Sequence, residues 1–385
     1  MPNWLDRLTG RAHAPQERKT AQAMMQVTSL GDATWSKRSF AHLAQEGFVK
    51  NPIVHGCVKL IAQAATRVPL RAVEGGQRLS EHPATKLLAR PNARQSGGEL
   101  LEGFYAYLQT AGNAYLEAAL IDGEVRGIYL LRPDRMRAVL GRDGWVTGYA
   151  YTAGGRTRNL SLDTAPVAEV LHAALFHPLD DHYGLSPLEA AAQSLDIHNA
   201  AGRWNKALLD NAARPSGALV YTAGGNLTAE QFERLKSELS DGFAGAANAG
   251  RPMLLDGGLD WKALSLTPQE MDFIELKHVA AREIALAFGV PPMLLGIPGD
   301  NTYANMAEAN RAFWRGTVIP LVERAAGDLG YWLAPAFGGE LELVPDIDAI
   351  EALAEDRGAL WARITAADFL TDGEKRALVG VKEAD

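Results

Sequence analysis

His172, His177 and His182 recur every five residues, and Asp180 and Asp181 lie between the last two. Imidazole nitrogens and carboxylates in that density raise a metal site, and His172, His177 and Asp181 would be the ligands of a metal-dependent hydrolase that holds its ion stoichiometrically. The spacing argues otherwise. Five residues match neither one face of a helix nor the His-x-x-x-His pair, and Pro178 breaks any helix between them. His172 closes a strand-like run and reads as a structural hydrogen-bonding residue. The glycine pairs at 75–76, 154–155, 224–225 and 257–258 lack the Lys-Ser/Thr ending of a phosphate loop and the spacing of a dinucleotide fold, so they read as turns. No Gly-x-Ser-x-Gly elbow occurs. The residues therefore predict no catalytic set, no metal and no cofactor.

The elements around these residues have clear signals. Phe288-Gly289-Val290-Pro291-Pro292-Met293-Leu294-Leu295-Gly296 separates two long amphipathic runs, 267–288 and 301–332. Glycine takes a left-handed helix end cheaply, and two prolines beyond it cannot continue the helix. The chain must stop, turn at a rigid corner (Gly289, Pro291, Pro292, Gly296), pass through the polar loop 296–305 and start again. Pro320 inside the second run predicts a kink near 316–320. Upstream, 51–67 and 99–112 read as helices. Residues 114–121 and 125–131 flank Asp122-Gly123 as a hairpin, and 135–140, 145–151 and 167–173 read as further strands. Ser186-Pro187-Leu188-Glu189 opens a helix running to about 213, and Thr267-Pro268-Gln269-Glu270 repeats the signal. Between these helices sits a small unit: a strand at 217–221, a helix opened by Thr228-Ala229-Glu230-Gln231, and strands near 253–255 and 259–264. The fold class is α+β.

Composition is that of an ordinary globular chain: 385 residues, 47% hydrophobic and 22% charged. No apolar run of about 18 residues predicts a membrane helix, and the polar first 19 residues do not read as a secretory signal. The single cysteine, Cys57, sits among Val54, Val58 and Ile61 as core, and excludes a disulfide framework. The net charge of −8 argues against a tight DNA binder, whose affinity would come from phosphate contacts, while leaving room for a protein that surrounds DNA without gripping it.

The order long helix, FGVPPMLLG, polar loop, long helix resembles the portal proteins of tailed phages, in particular the short siphophage-type portals that also occur in gene transfer agents. Asn51-Pro52, Pro91-Asn92, Gly112-Asn113-Ala114-Tyr115, His172, Gly184-Leu185-Ser186-Pro187 and 370–376 match in order, and the likeness covers roughly residues 35–380. The resemblance implies an N-terminal arm (1–40), a mixed α+β wing (41–185), a first stem helix (186–215), a clip (216–266) and a second stem helix (267–289). A wing return with tunnel loop and kinked tunnel helix (290–345) and a short helical crown (346–385) follow. It implies a non-enzymatic ring of about twelve copies at one capsid vertex, passing double-stranded DNA without sequence preference during packaging and ejection. The partners so implied are the major capsid protein, the terminase large subunit, which would supply the ATPase, and a head–tail adaptor, in a virion or gene transfer agent particle assembled in the host cytoplasm. No membrane is involved.

On that resemblance Asp300, Asn301, Thr302, Tyr303 and Asn305 line the bore and touch phosphate and sugar weakly. Without it, they form an ordinary surface connection. Arg311 and Arg315, four residues apart, read either as DNA contacts or as salt bridges to Glu308 or Glu323 types on the next subunit. Lys206 and Arg214 face either the bore or a motor-docking surface. In the clip, Phe232, Leu235, Leu239 and Phe243 read as local core, while Glu230, Glu233, Lys236 and Asp241 form the face for docking partners. The arm reads as a free segment or as one that docks on a neighbour. A helical scaffold or adaptor with no DNA role is the alternative, and ring formation around a central hole discriminates it.

Overall fold

The structure is a computed structural model that describes residues 39–210, 217–221, 228, 230, 231, 233, 234, 237, 259–263, 273–299 and 303–379. Its first long helix, Pro52–Thr66, starts where the sequence places it. Asn51 Oδ1 accepts from the amides of Ile53 and Val54, and Pro52 occupies the first turn, where its missing N–H costs nothing. Val54, Cys57, Val58, Ile61, Ala62 and Ala65 form the buried face, each large side chain contributing roughly 1.5–3 kcal/mol of burial. Burial pushes the Cys57 thiol up to about 12, so this sulfur is core. Against this helix packs Gly97–Ala111, opened by a reciprocal Ser96–Glu99 capping box and closed by Gly112 at φ +70.

Four sheets are described, all antiparallel. The hairpin β3 (Asn113–Ile121) and β4 (Glu124–Leu131) turns on Asp122 and Gly123, both at positive φ as a type I′ turn requires. β3 is flanked on its other edge by β8 (Val170–Ala174), with Tyr115 opposite His172. A second sheet, β5 (Met136–Leu140), β6 (Val146–Ala153) and β7 (Arg156–Ser161), has Arg137, Ala150 and Asn159 in one row. Between these two sheets lies a small core of Tyr115, Leu131, Met136, Tyr149, Leu160 and Val170. A third sheet joins distant parts of the chain: β1 (Leu70–Glu74) pairs with β11 (Glu342–Pro345) on one side and with β2 (Gln77–Arg78) on the other. The fourth pairs β9 (Gly217–Tyr221) with β10 (Leu259–Ala263).

The main core runs from Pro52–Thr66 through Gly97–Ala111 to the helices Phe273–Ala287 and Ile319–Leu333, with Phe104, Ile284, Phe288, Val322 and Leu329 among its buried members.

Two elements differ from the sequence expectation. The helix opened by Ser186, whose Oγ accepts from the Glu189 amide, makes one turn (Pro187–Ala190). It then passes an irregular residue, Ala191 at φ −83 and ψ 2, before Ala192–Asp210. The run expected at 301–332 is three pieces: Tyr303–Phe313, a π turn Trp314–Val318, and Ile319–Leu333. Pro320 sits in the first turn of the last piece, where its missing amide is tolerated, so the irregularity falls in the π turn just before it. Residues 211–216, 222–227, 238–258 and 264–272 lie outside the described residues, and with them the strand expected near 253–255 and the stripe of Phe232, Leu235, Leu239 and Phe243. Thr228 and Gln231 do cap each other reciprocally, as expected for a helix start.

Candidate functional site

The corner between the helices is built from two successive left-handed glycine closures. Val290 N–H reaches back to Ala285 O (2.9 Å) and Gly289 N–H to Leu286 O (3.0 Å), with Gly289 at φ +66. Ile297 N–H then reaches Pro292 O (3.2 Å) and Gly296 N–H reaches Met293 O (3.1 Å), with Gly296 at φ +70. Both are the paired closure that satisfies the last carbonyls of a helical turn. Phe288, Val290 and Ile297 are buried beneath it, while Pro291 and Pro292 are half-buried. The corner is fastened from two sides. Thr317, in the π turn, donates its hydroxyl to Gly289 O (2.6 Å), and the Arg282 guanidinium donates to Pro298 O.

Of the loop residues singled out from the sequence, Tyr303 opens the helix Tyr303–Phe313 and Asn305 lies exposed on its first turn. Asp300, Asn301 and Thr302 lie outside the described residues, as do Arg214, Lys236 and Asp241. Lys206 is exposed on Ala192–Asp210, and Glu230 and Glu233 are exposed in the unit between the two helices.

Arg311 and Arg315 are both engaged within the chain. Arg311 pairs with Glu308 and with Glu355 (2.9 Å), and Arg315 pairs with Asp356 (2.5 Å). Glu308, expected as a type of partner on another subunit, is thus an intrachain partner here. Glu355 and Asp356 could not be foreseen as partners from spacing, because they stand about 40 residues away on the helix Ala354–Thr365.

Other matching motifs converge on one polar node. Asn113 Oδ1 accepts from Gly184 N–H (2.7 Å), which fixes its amide, and Asn113 Nδ2 donates to Ala111 O (2.8 Å) and Gly184 O (3.1 Å). The same Oδ1 accepts from His172 Nε2 (2.8 Å), so His172 Nδ1 must accept the Tyr149 hydroxyl (2.7 Å). The imidazole also stacks on Tyr115 at 4.4 Å. Burial pulls His172 down to about 4, keeping it neutral, and pushes Tyr149 up to about 12. Both ring nitrogens are used, so a metal would have to displace these bonds. Among the described residues no three His, Cys, Asp or Glu side chains are placed to hold an ion. His177 instead accepts from the Leu179 amide, and Asp180 from the amides of His182 and Tyr183.

Asn51 makes a second node. Beyond capping its helix, its Nδ2 donates to His198 Nδ1 (2.9 Å) and Asn199 Oδ1 (2.8 Å), joining Pro52–Thr66 to Ala192–Asp210. Burial first, and the Lys277 charge second, lower the His198 pKa.

The Asn113 node ties the β3–β8 sheet to the segment at Gly184, and the Asn51 node ties Pro52–Thr66 to Ala192–Asp210. Comparison with known proteins gives the arrangement its family. The family model described as phage portal protein matches residues 52–380, and the chain belongs to that family. An uncharacterized protein of Rickettsia bellii (strain RML369-C) is 42% identical over 363 residues, covering 92% of this chain and 94% of the relative. The portal protein of Enterobacteria phage HK97 is 25% identical over 340 residues, covering 85% and 75%. A chain solved in the neck of a native gene transfer agent particle, with C12 symmetry, is 50% identical, with a TM-score of 0.71 over 92% of this chain and 96% of that one.

Proposed function

We propose that this chain forms a closed ring of about twelve copies at one vertex of a gene transfer agent or phage capsid and serves as the conduit for double-stranded DNA. The observation that carries the reading is the likeness over 92% of the chain, at 50% identity, to a chain of a gene transfer agent neck with C12 symmetry. A closed ring needs a head-to-tail contact repeated by one rotation, and a rigid protomer favours closure at a fixed copy number. The Asn51 and Asn113 nodes supply that rigidity. In this reading 186–215 and 267–289 form the stem and 216–266 the clip that docks first the terminase and then the head–tail adaptor, through Glu230, Glu233, Lys236 and Asp241. The major capsid protein surrounds the ring, and assembly takes place in the host cytoplasm. The loop residues 300–305 line the bore, and DNA slides past an acidic protein without being held.

Electron microscopy of the purified chain and of its particle, viewed down the ring axis, tests this. A closed ring with a hole wide enough for duplex DNA is expected, and a monomer in both settings refutes it. The Asn301→Ala/Thr302→Ala/Asn305→Ala triple variant tests the loop. Rings should assemble normally while the yield of DNA-filled particles falls. Unchanged filling refutes the loop's contact with DNA.

A further inference from the structure

The π turn Trp314–Val318 carries one residue more than an α-helix needs, its last bond running from Ile319 N–H to Trp314 O. Such a turn persists when its surroundings hold it, and here three contacts do so. Thr317 is bonded to Gly289 O (2.6 Å) at its C-terminal end. Arg311, just before it, and Arg315, within it, pair with Glu355 and Asp356 on the helix Ala354–Thr365. That helix buries little of itself: Ile364 is its buried residue, and Leu360 and Trp361 are exposed. The two ion pairs join it to the π-turn region, while Arg357 bonds back to Asp348 and Ile350, Leu353 and Ile364 are buried. Beside the π turn lies a half-open cleft of about 540 Å³ lined by Leu60, Gln63, Phe313, Trp314, Ile350 and Glu351. It gives the half-buried Trp314 ring of the turn room to move.

We propose that Trp314–Val318 is a register switch latched by the C-terminal helix Ala354–Thr365 through Arg311–Glu355 and Arg315–Asp356. In the latched state the surplus residue stays in the π turn. In the released state it passes out toward the start of the helix, and Tyr303–Phe313 turns about 100° and shifts about 1.5 Å against Ile319–Leu333. That rotation carries Arg311 and Arg315 away from their carboxylates, so the turn and the C-terminal helix are coupled, and each biases the other. The switch itself stands on these contacts. Only its consequence, that the C-terminal helix sets the orientation of a helix facing the bore, rests on the conduit reading.

Deleting Gly316, which is exposed and has open space around it, removes the surplus residue and leaves both flanking helices in the latched register. Hydrogen exchange is read on the full chain, both isolated and in assembled rings. Exchange across residues 354–365 should be unchanged in the deletion variant, which keeps both surface pairs. The Glu355→Gln/Asp356→Asn variant should raise exchange across 354–365 about fivefold, from loss of two surface pairs, and should also speed exchange of the amides 314–319. Combined with the deletion it should leave 314–319 slow, because no surplus residue remains to move. Unchanged exchange at 314–319 in the charge variant, or an equal rise there when the deletion is present, overturns the switch. If the deletion variant does not fold, the charge variant decides by the same 314–319 reading. Failure of the ring itself would appear as monomers by electron microscopy and would leave the exchange result standing.

Discussion

The buried histidine makes a quantitative prediction about acid sensitivity. His172 falls from an ordinary 6.5 to about 4 in the folded chain, because its ring is desolvated between Tyr115 and Tyr149 and both nitrogens are bonded in the neutral form. The sign follows from linkage. The folded pKa is depressed and the charged form is the cation, so above 6.5 both states are neutral and His172 adds no slope. Between 6.5 and 4 the unfolded chain takes up a proton that the folded chain refuses, and stability is lost as pH falls. Relative to neutral pH the loss reaches about 2 kcal/mol near pH 5, and about 3 kcal/mol once the pH is below 4. His172→Gln removes the titration. It is less stable than wild type at neutral pH, having lost a fitted bond pair, but its stability should fall by about 2 kcal/mol less on going to pH 5. Urea unfolding of the isolated chain, followed by tryptophan fluorescence at the two pH values, measures both slopes. His198, whose pKa is also lowered, is present in both proteins and cancels in the difference. Equal slopes in wild type and variant would show that His172 is accessible to protons in the folded state, and would refute the locked node.

Two further substitutions test the crossings that hold the elements together. A Cβ on Gly112 would lie 2.4 Å from Gly184 O at a residue whose φ is +70. Gly112→Ala should therefore cost roughly 2–5 kcal/mol in urea midpoint stability, from left-handed strain and a backbone clash together, and a loss under 1 kcal/mol would contradict the close crossing. Asn51→Ala should cost about 2–4 kcal/mol, because a cap and the partners of His198 and Asn199 are lost at a buried site. Asn51→Ser, which keeps the cap alone, should recover about 1 kcal/mol of that. Equal losses for Ala and Ser would mean that the cap contributes nothing.

What could be read in advance was local. Periodicity located Pro52–Thr66, the Asp122-Gly123 hairpin and the corner, because each is decided by neighbours within one or two turns. Strands β1 and β11 escaped, since each is short and most of their pairing is with each other, some 270 residues apart. The π turn escaped as well. Pro320 announced an irregularity, but a proline in the first turn of a helix is harmless, and the surplus residue is fixed by Thr317 and by the ion pairs, which no spacing rule reveals.

The same distinction separates the two kinds of site residue. Asn51, Asn113 and Gly184 were legible as motif letters, yet their roles emerge only when the chain brings 51 beside 198 and 113 beside 184. Arg311 and Arg315 were legible as a charged pair on one helix face and invited an external partner. Exposed arginines look alike in sequence whether they meet DNA, a neighbour or a carboxylate of their own chain. In this protomer Glu355 and Asp356 are their partners. Because exposed ion pairs are weak, that pairing is also reversible. A guanidinium held so weakly can exchange an intrachain carboxylate for another anion at little cost, so the contact that fixes Arg311 in one chain is the kind that a moving helix can give up.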